Sequence, residues 1–306
     1  MKRALGRNDV ELMLVVVFWA FNVSVVKVCL REMQPLAFNI LRFVGAAVIL
    51  LVLTRWLEGS FRVERKDIAR VVMLGVVGHT LYQLCFVLGL ARTTASSTAL
   101  IFGSSPVVIA ILSRLAGHER LGLTDAAGAL LAFYGVYLIV QGHGGAPVPV
   151  QRVSTIEGNL LIIGAVLCWS IYTVMARDLL HRYSALKVTA LTLTLGTVLM
   201  APPSIPDLIR QDWGAVSLRT WAGLVFSFVF AVVIAYVFWY RSVKKVGNLR
   251  TAIYTNLVPV FGTLFGVWLL GEPLTRGLWL GGACILAGIV LTRLKAPRAP
   301  VPAEGS

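Results

Sequence analysis

Two tryptophans, Trp19 and Trp169, stand near the middle of long apolar runs, and each is followed within a turn by polar groups: Asn22 in one run, Tyr172 and Thr173 in the other. A ring at that depth either packs between helices or lines a cavity, and the polar turn beside each favours the cavity. A third run carries Gly75, Gly78, His79, Tyr82, Phe86 and Gly89 at spacings of three and four, which is one face of a helix. Small residues on that face allow a neighbouring helix to come close. His79 either meets a ligand and titrates near neutral pH or is a neutral side chain bonded to an adjacent helix. Ser97, Ser104 and Ser105 lead up to Pro106, and Tyr254, Thr255 and Asn256 lead up to Pro259. A proline lacks the backbone donor, so it loosens a helix and frees carbonyls that a cavity can use. These groups stack, pack and hydrogen-bond; they do not make a reaction centre. The four histidines (His79, His118, His143, His181) fall on separate stretches without a nucleophile or base beside them, and the four cysteines are single. Neither an enzyme, a cofactor nor a metal site is expected.

The elements that hold these residues are set by composition. Of 306 residues 58% are hydrophobic and 14% charged, with a mean hydropathy of +0.81, well outside the mix of a soluble domain. The net charge of +14 sits in short breaks between apolar runs, not in a stripe with interleaved aromatics, so membrane topology explains it and a nucleic-acid partner is not expected. A hydrocarbon core about 30 Å thick needs about 20 helical residues. Runs of that size recur near 10–30, 35–53, 68–90, 93–115, 122–141, 156–176, 185–201, 218–240, 250–270 and 274–291, with breaks at Gln34-Pro35, Glu58 to Ser60, Gly142 to Pro149 and Pro202 to Ser204. The first run is too long for the core of a signal peptide and lacks a small-residue cleavage site. With the N-terminus inside, about 20 of the 28 Lys and Arg fall on the cytoplasmic side and about seven on the other. Only Arg42 remains within a span, where it faces a ligand carboxylate or pairs with helix carbonyls. Both termini are therefore expected in the cytoplasm. Lys27 and Arg177, near helix ends, read as interfacial anchors, and Trp56, Trp213, Trp221, Trp239, Trp268 and Trp279, toward span ends, as an interfacial belt.

The chain also repeats itself. A shift of 153 residues carries Thr98 to Thr251, Pro106 to Pro259, Glu119 to Glu272, Gly128 to Gly281 and Gly135 to Gly288; a shift of 150 carries Trp19 to Trp169 and Lys27 to Arg177. Each half holds five spans, an odd number, so the second half enters the membrane inverted with respect to the first. The expected fold is an all-α membrane protein of ten transmembrane helices arranged as two inverted five-helix repeats: residues 1–141 and 156–293, a linker over 142–155, and a disordered cytoplasmic tail over 294–306. Inverted repeats of this kind bind small solutes near the midplane, between the halves. Glu119 and Glu272, at hairpin tips, read as capping or gating residues.

The hairpin pattern Thr98-Ala99, Pro106, Glu119, Gly128, Gly135 with its second copy, the paired Trp19 and Trp169, and Leu41-Arg42-Phe43 in the second run together resemble the drug/metabolite transporter superfamily, in its ten-helix form built from two EamA-like repeats. The resemblance spans about residues 10 to 293. Because the Arg42 position belongs to that pattern whatever the substrate, the resemblance favours a structural role for it. Length, the mid-membrane tryptophans and the region His79 to Tyr82 are most similar to aromatic amino acid exporters. The four-helix multidrug exporters of the same superfamily carry an intramembrane Glu in the first helix; this chain has Trp19 and Asn22 there and no mid-span acid, which argues against proton-for-cation exchange of that type. The resemblance implies an inner-membrane transporter that exports amino acids, aromatic and other apolar ones favoured, by alternating access, with Trp19, Asn22, His79, Tyr82, Ser97, Ser104, Trp169 and Tyr254 at the substrate. The alternatives are a carrier of another metabolite, such as a nucleotide sugar or organic anion, and, further off, a membrane receptor or scaffold.

Overall fold

The computed structural model describes residues 7–116, 123–141, 155–246, 251 and 254–293. These residues form ten helical stretches: α1 (Arg7–Cys29), α2 (Pro35–Glu58), α3 (Arg65–Arg92), α4 (Ala95–Leu115), α5 (Leu123–Gln141), α6 (Ile156–Arg182), α7 (Ala185–Arg210), α8 (Leu218–Lys245), α9 (a 3₁₀ turn over Thr255–Leu257 running into Val258–Leu270) and α10 (Arg276–Arg293). Seven of them are long and apolar enough by themselves to cross a membrane. The shorter α5, α9 and α10 complete the ten. The linker over 142–154 and the tail from 294 lie outside the described residues, as does Glu119.

Local chemistry sets the helix starts. Thr155, Ser184 and Ser217 each accept a hydrogen bond from the backbone N–H three residues on, capping α6, α7 and α8. Pro35 occupies the first turn of α2, where its missing donor costs nothing. One expected break is absent: α7 continues through Pro202, Pro203 and Pro206 to Arg210. Its far end is held from outside the helix, since Leu36 N–H donates to Asp207 Oδ2 at 2.8 Å and Gln34 N–H to Gln211 Oε1 at 2.6 Å. Those tertiary bonds offset the ladder bonds that the prolines remove.

The two halves share local features at corresponding places. In each half the third helix contains a π-helical stretch at the same place, Val76–Leu81 in α3 and Ser227–Ile234 in α8. In each, the fourth helix breaks just before its proline, at Gly103-Ser104 in α4 and over Thr255–Leu257 in α9. Helix α3 packs on α6 and α7, and α8 correspondingly on α1 and α2. Helices α5 and α10 run along one another, and their contact is reciprocal: a Cβ on Gly135 would stand 2.5 Å from the carbonyl oxygen of Gly281, and one on Gly288 would stand 2.4 Å from that of Gly128. The 153-residue shift turns the first pair into the second. Only glycine permits backbones this close.

Two large apolar cores and a small one around Val16, Ala20 and Val258 fill the bundle. One large core surrounds Leu12, Leu50, Leu74, Leu180 and Val243 toward the end where α1 begins; the other surrounds Val26, Met33, Phe38, Leu90 and Leu270 toward the opposite end. The outer surface is apolar as well. Val44, Val48 and Val52 make an exposed stripe on α2, and Trp56, Trp268 and Trp279 are the most exposed tryptophans. Such a surface is a liability in water and matches a lipid environment.

Candidate functional site

Between the two large cores lies a cavity with about 810 Å³ of empty space, including its open mouth. Its wall is aromatic. Trp19 from α1 meets Trp169 from α6 edge to face, with centroids 5.5 Å apart and planes at 88°. The two residues are repeat partners in the sequence. Trp239 packs against Trp19 at 5.1 Å, Tyr82 against Trp169 at 5.5 Å and Tyr236 against Trp169 at 5.7 Å. The π-helical stretch of α8 contributes to the same wall: Ala231 and Val232 line the cavity, and Trp19 Nε1–H donates to the Ala231 carbonyl at 3.0 Å. A π turn leaves the regular helical ladder locally, and such turns concentrate at functional sites.

Of the residues singled out from the sequence, Trp19, Asn22, Tyr82 and Trp169 meet around this cavity. His79, Ser97, Ser104 and Tyr254 do not line it. His79 is fully buried behind the wall, where its Nε2 bonds Tyr172 OH at 3.2 Å and Thr192 Oγ1 at 3.1 Å. A Cβ on Gly196 would stand 2.4 Å from the Cβ of His79, so α7 presses directly on it. Ser97 belongs to the cap of α4, its N–H donating to Thr94 Oγ1 at 3.0 Å. Ser104 Oγ donates to the Ile101 carbonyl at 2.7 Å, serving the break in its own helix. Tyr254 OH donates to Asp9 Oδ1 at 2.5 Å, tying α9 to the start of α1.

Trp239 was expected in an interfacial belt; it is instead 1% exposed and lines the cavity. The error came from ending the eighth run at Tyr240, whereas α8 continues to Lys245 and carries the ring inward. Tyr236, Trp239 and Tyr240, spaced three and four apart, marked one aromatic face that could have shown this. Lys27 is likewise no interfacial anchor. Its Nζ donates to the carbonyls of Leu90 at 2.7 Å, Ala91 at 3.3 Å and Thr93 at 2.6 Å, closing the C-terminal end of α3. Glu272 answers it on the next helix: its carboxylate accepts from Ala95 N–H at 2.7 Å and Ser96 N–H at 2.8 Å, the free donors at the start of α4. Gly271, at φ +62°, ends α9 and lets the chain fold back to place that carboxylate. Cation on carbonyl end and anion on amide end both complement the helix dipoles, so one connection between α3 and α4 is gripped from α1 and from the α9–α10 turn. The repeat partner of Lys27, Arg177, is exposed.

Polar groups inside the cavity are fewer and incompletely paired. Asn22 Oδ1 and Trp239 Nε1 are buried with no hydrogen-bond partner. Arg42, 2% exposed, lines the cavity and donates to Gln83 Oε1 at 2.5 Å, Asn39 Oδ1 at 2.7 Å and Ser227 Oγ at 3.3 Å. Its partners are side chains on α2, α3 and α8; no helix carbonyl is among them. Phe43, Phe38 and Phe86 lie 5.1 to 5.8 Å from its guanidinium. Among the described residues there is no cluster of His, Cys, Asp and Glu that could hold a metal.

A bundle of ten helical stretches with an apolar exterior and a cavity among its helices is the architecture of a multi-pass membrane transporter. Comparison with known proteins gives the family. A model of the EamA-like transporter family matches residues 9–141 and again 156–294, and the chain belongs to that family. It is 28% identical over 282 residues to an uncharacterized transporter of Archaeoglobus fulgidus, covering 92% of this chain and 97% of that one. It is 24% identical over 280 residues to a probable terminal-alkyne amino-acid exporter of Streptantibioticus cattleyicolor, covering 92% and 91%. A solved crystal structure shares the fold, with a TM-score of 0.67 over 95% of this chain at 18% identity.

Proposed function

We propose that this transporter exports amino acids across the cell's inner membrane, favouring aromatic and other apolar side chains, by alternating access to the central cavity. The observation that carries the reading is the wall of seven rings (Trp19, Tyr82, Trp169, Tyr236 and Trp239, with Phe86 and Phe102) sharing one cavity with the unpaired Asn22 carbonyl and Trp239 N–H. Rings supply apolar area and edge-to-face contacts to a flat side chain, and the two buried polar groups gain partners when a polar headgroup enters. The name of the Streptantibioticus relative supports both the substrate class and the direction. Orientation rests on the Lys and Arg bias, which puts both termini in the cytoplasm and the grip of Lys27 and Glu272 on the outer side. In that orientation Ile109 and Thr255, which line the cavity, lie on its cytoplasmic side.

The test is counterflow in proteoliposomes. Vesicles loaded with phenylalanine should accumulate labelled phenylalanine and tryptophan faster than labelled alanine, and should ignore a nucleotide sugar. Exchange of the nucleotide sugar or of a dicarboxylate in preference to every amino acid would overturn the reading. The dicarboxylate arm also tests an organic-anion carrier, which the buried cation Arg42 favours.

A further inference from the structure

We infer that Arg42 is the anion-recognising residue of the cavity and receives the substrate's carboxylate. The inference rests on the amino-acid reading above and names the group that reads the substrate's acid. A guanidinium is always charged and carries five N–H donors. In this protein it is buried in the middle of the bundle, yet every acceptor it meets is neutral: an amide oxygen from Asn39, another from Gln83 and the Ser227 hydroxyl. None of the ion pairs among the described residues includes it, and its Nε has no hydrogen-bond partner. Aromatic faces around it lower the burial cost of the cation without cancelling its charge. A charge inside a membrane is ordinarily matched by an opposite charge or by a water-filled cavity. Arg42 borders the cavity and lacks the opposite charge, which is what a mobile anionic ligand would bring.

The geometry also explains why the residue is held so firmly. Asn39 lies one turn before it on α2, Gln83 follows the π-helical stretch of α3, and Ser227 begins the π-helical stretch of α8. The guanidinium is thereby fixed by three helices before any ligand arrives, and a planar, preorganised fork suits a carboxylate better than a flexible ammonium would. Arg42 also borders the same cavity as the seven rings, where a ligand would meet both.

Thermal stabilisation of the purified full chain separates the two roles, with three probes of one skeleton: phenylalanine, phenylacetate, which lacks the amine, and phenethylamine, which lacks the carboxylate. Wild type should be stabilised by the two carboxylates and little by phenethylamine. Arg42→Gln should weaken phenylalanine about tenfold or more, the range of a charge-assisted hydrogen bond, and leave phenethylamine unchanged. Gln83→Glu guards against a variant that fails to fold. It keeps the shape and sets a fixed carboxylate against the guanidinium, so the ligand-free midpoint should hold or rise while both carboxylate probes lose their effect. Full carboxylate stabilisation of Gln83→Glu, undiminished phenylalanine stabilisation of a folded Arg42→Gln, or a wild type indifferent to both carboxylates would each overturn the assignment. If phenylacetate alone stabilises wild type and both variants abolish it, Arg42 stands as the anion site and the amino-acid reading falls.

Discussion

Trp169 and His79 are both buried aromatic residues of the central layer, and their neighbours give them different work. Trp169 touches Trp19, Tyr82, Tyr236 and Trp239 and faces the cavity. Trp169→Ala should lower the thermal midpoint through a loss on the order of 3 to 5 kcal/mol. It should also erase the preference for phenylalanine over alanine, by about two- to tenfold in competition, which corresponds to the roughly 0.5 to 1.5 kcal/mol of an aromatic pair. Trp169→Phe should restore much of that preference. His79 bonds Tyr172 and Thr192 behind the wall, so His79→Phe should melt earlier while keeping the same order of substrate preference. A change in that order would place His79 at the substrate after all. What the sequence disclosed about these residues followed from depth. The repeat and the polar turn set Trp19 and Trp169 apart, whereas whether His79 faces the cavity depends on the π turn over Val76–Leu81, which rotates the helix face and leaves no pattern in residue type. Arg42 was legible as a lone cation within a span; that its partners would all be neutral was not, since they come from three helices.

At the scale of the element, the helices were legible from apolar run length and the repeat from a proline and a glutamate in register. The exceptions share a cause. Proline breaks a helix when nothing else holds it, and α7 passes Pro202, Pro203 and Pro206 because Asp207 and Gln211 bond the start of α2. Such contacts are far apart in sequence and leave no local sign. The paired glycines were visible as a seven-residue spacing, and their meaning is the close approach of α5 and α10. Gly135→Ala and Gly288→Ala each place a methyl about 2.4 to 2.5 Å from an opposing carbonyl oxygen. Overpacking of this kind costs about 1 to 3 kcal/mol. Since the two contacts are reciprocal and equally close, the two variants should lower the thermal midpoint in detergent by similar amounts, while Ala127→Gly, exposed on α5, should not reproduce the effect. A large shift in one glycine variant and none in the other would contradict the reciprocal contact.

Across the whole molecule, Lys27 and Glu272 both bond the α3–α4 connection at one end of the bundle, where a gate would have to act. Lys27→Met with Glu272→Gln removes both charges at little change in volume. In a chain freed of its four cysteines, Ser105→Cys on the cavity wall should then react several-fold faster with a membrane-impermeant thiol reagent applied from the side that carries Glu272. Equal rates with and without the two substitutions would show that the grip does not control access from that side.

The reciprocal glycine contact also bears on how the chain came to be, and how it could be taken apart. One helix of the α5–α10 pair comes from each half, and the same is true of the α4–α9 and α2–α7 pairs. Those three pairs join helices that precede residue 142 to helices that follow residue 154, as the interface of a dimer would. Residues 1–148 and 149–306, produced as two polypeptides in the same cell, should therefore find each other in the membrane and recover transport. Co-purification through a tag on one fragment would report assembly, and Gly135→Leu, placed where Gly281 must approach, should abolish it.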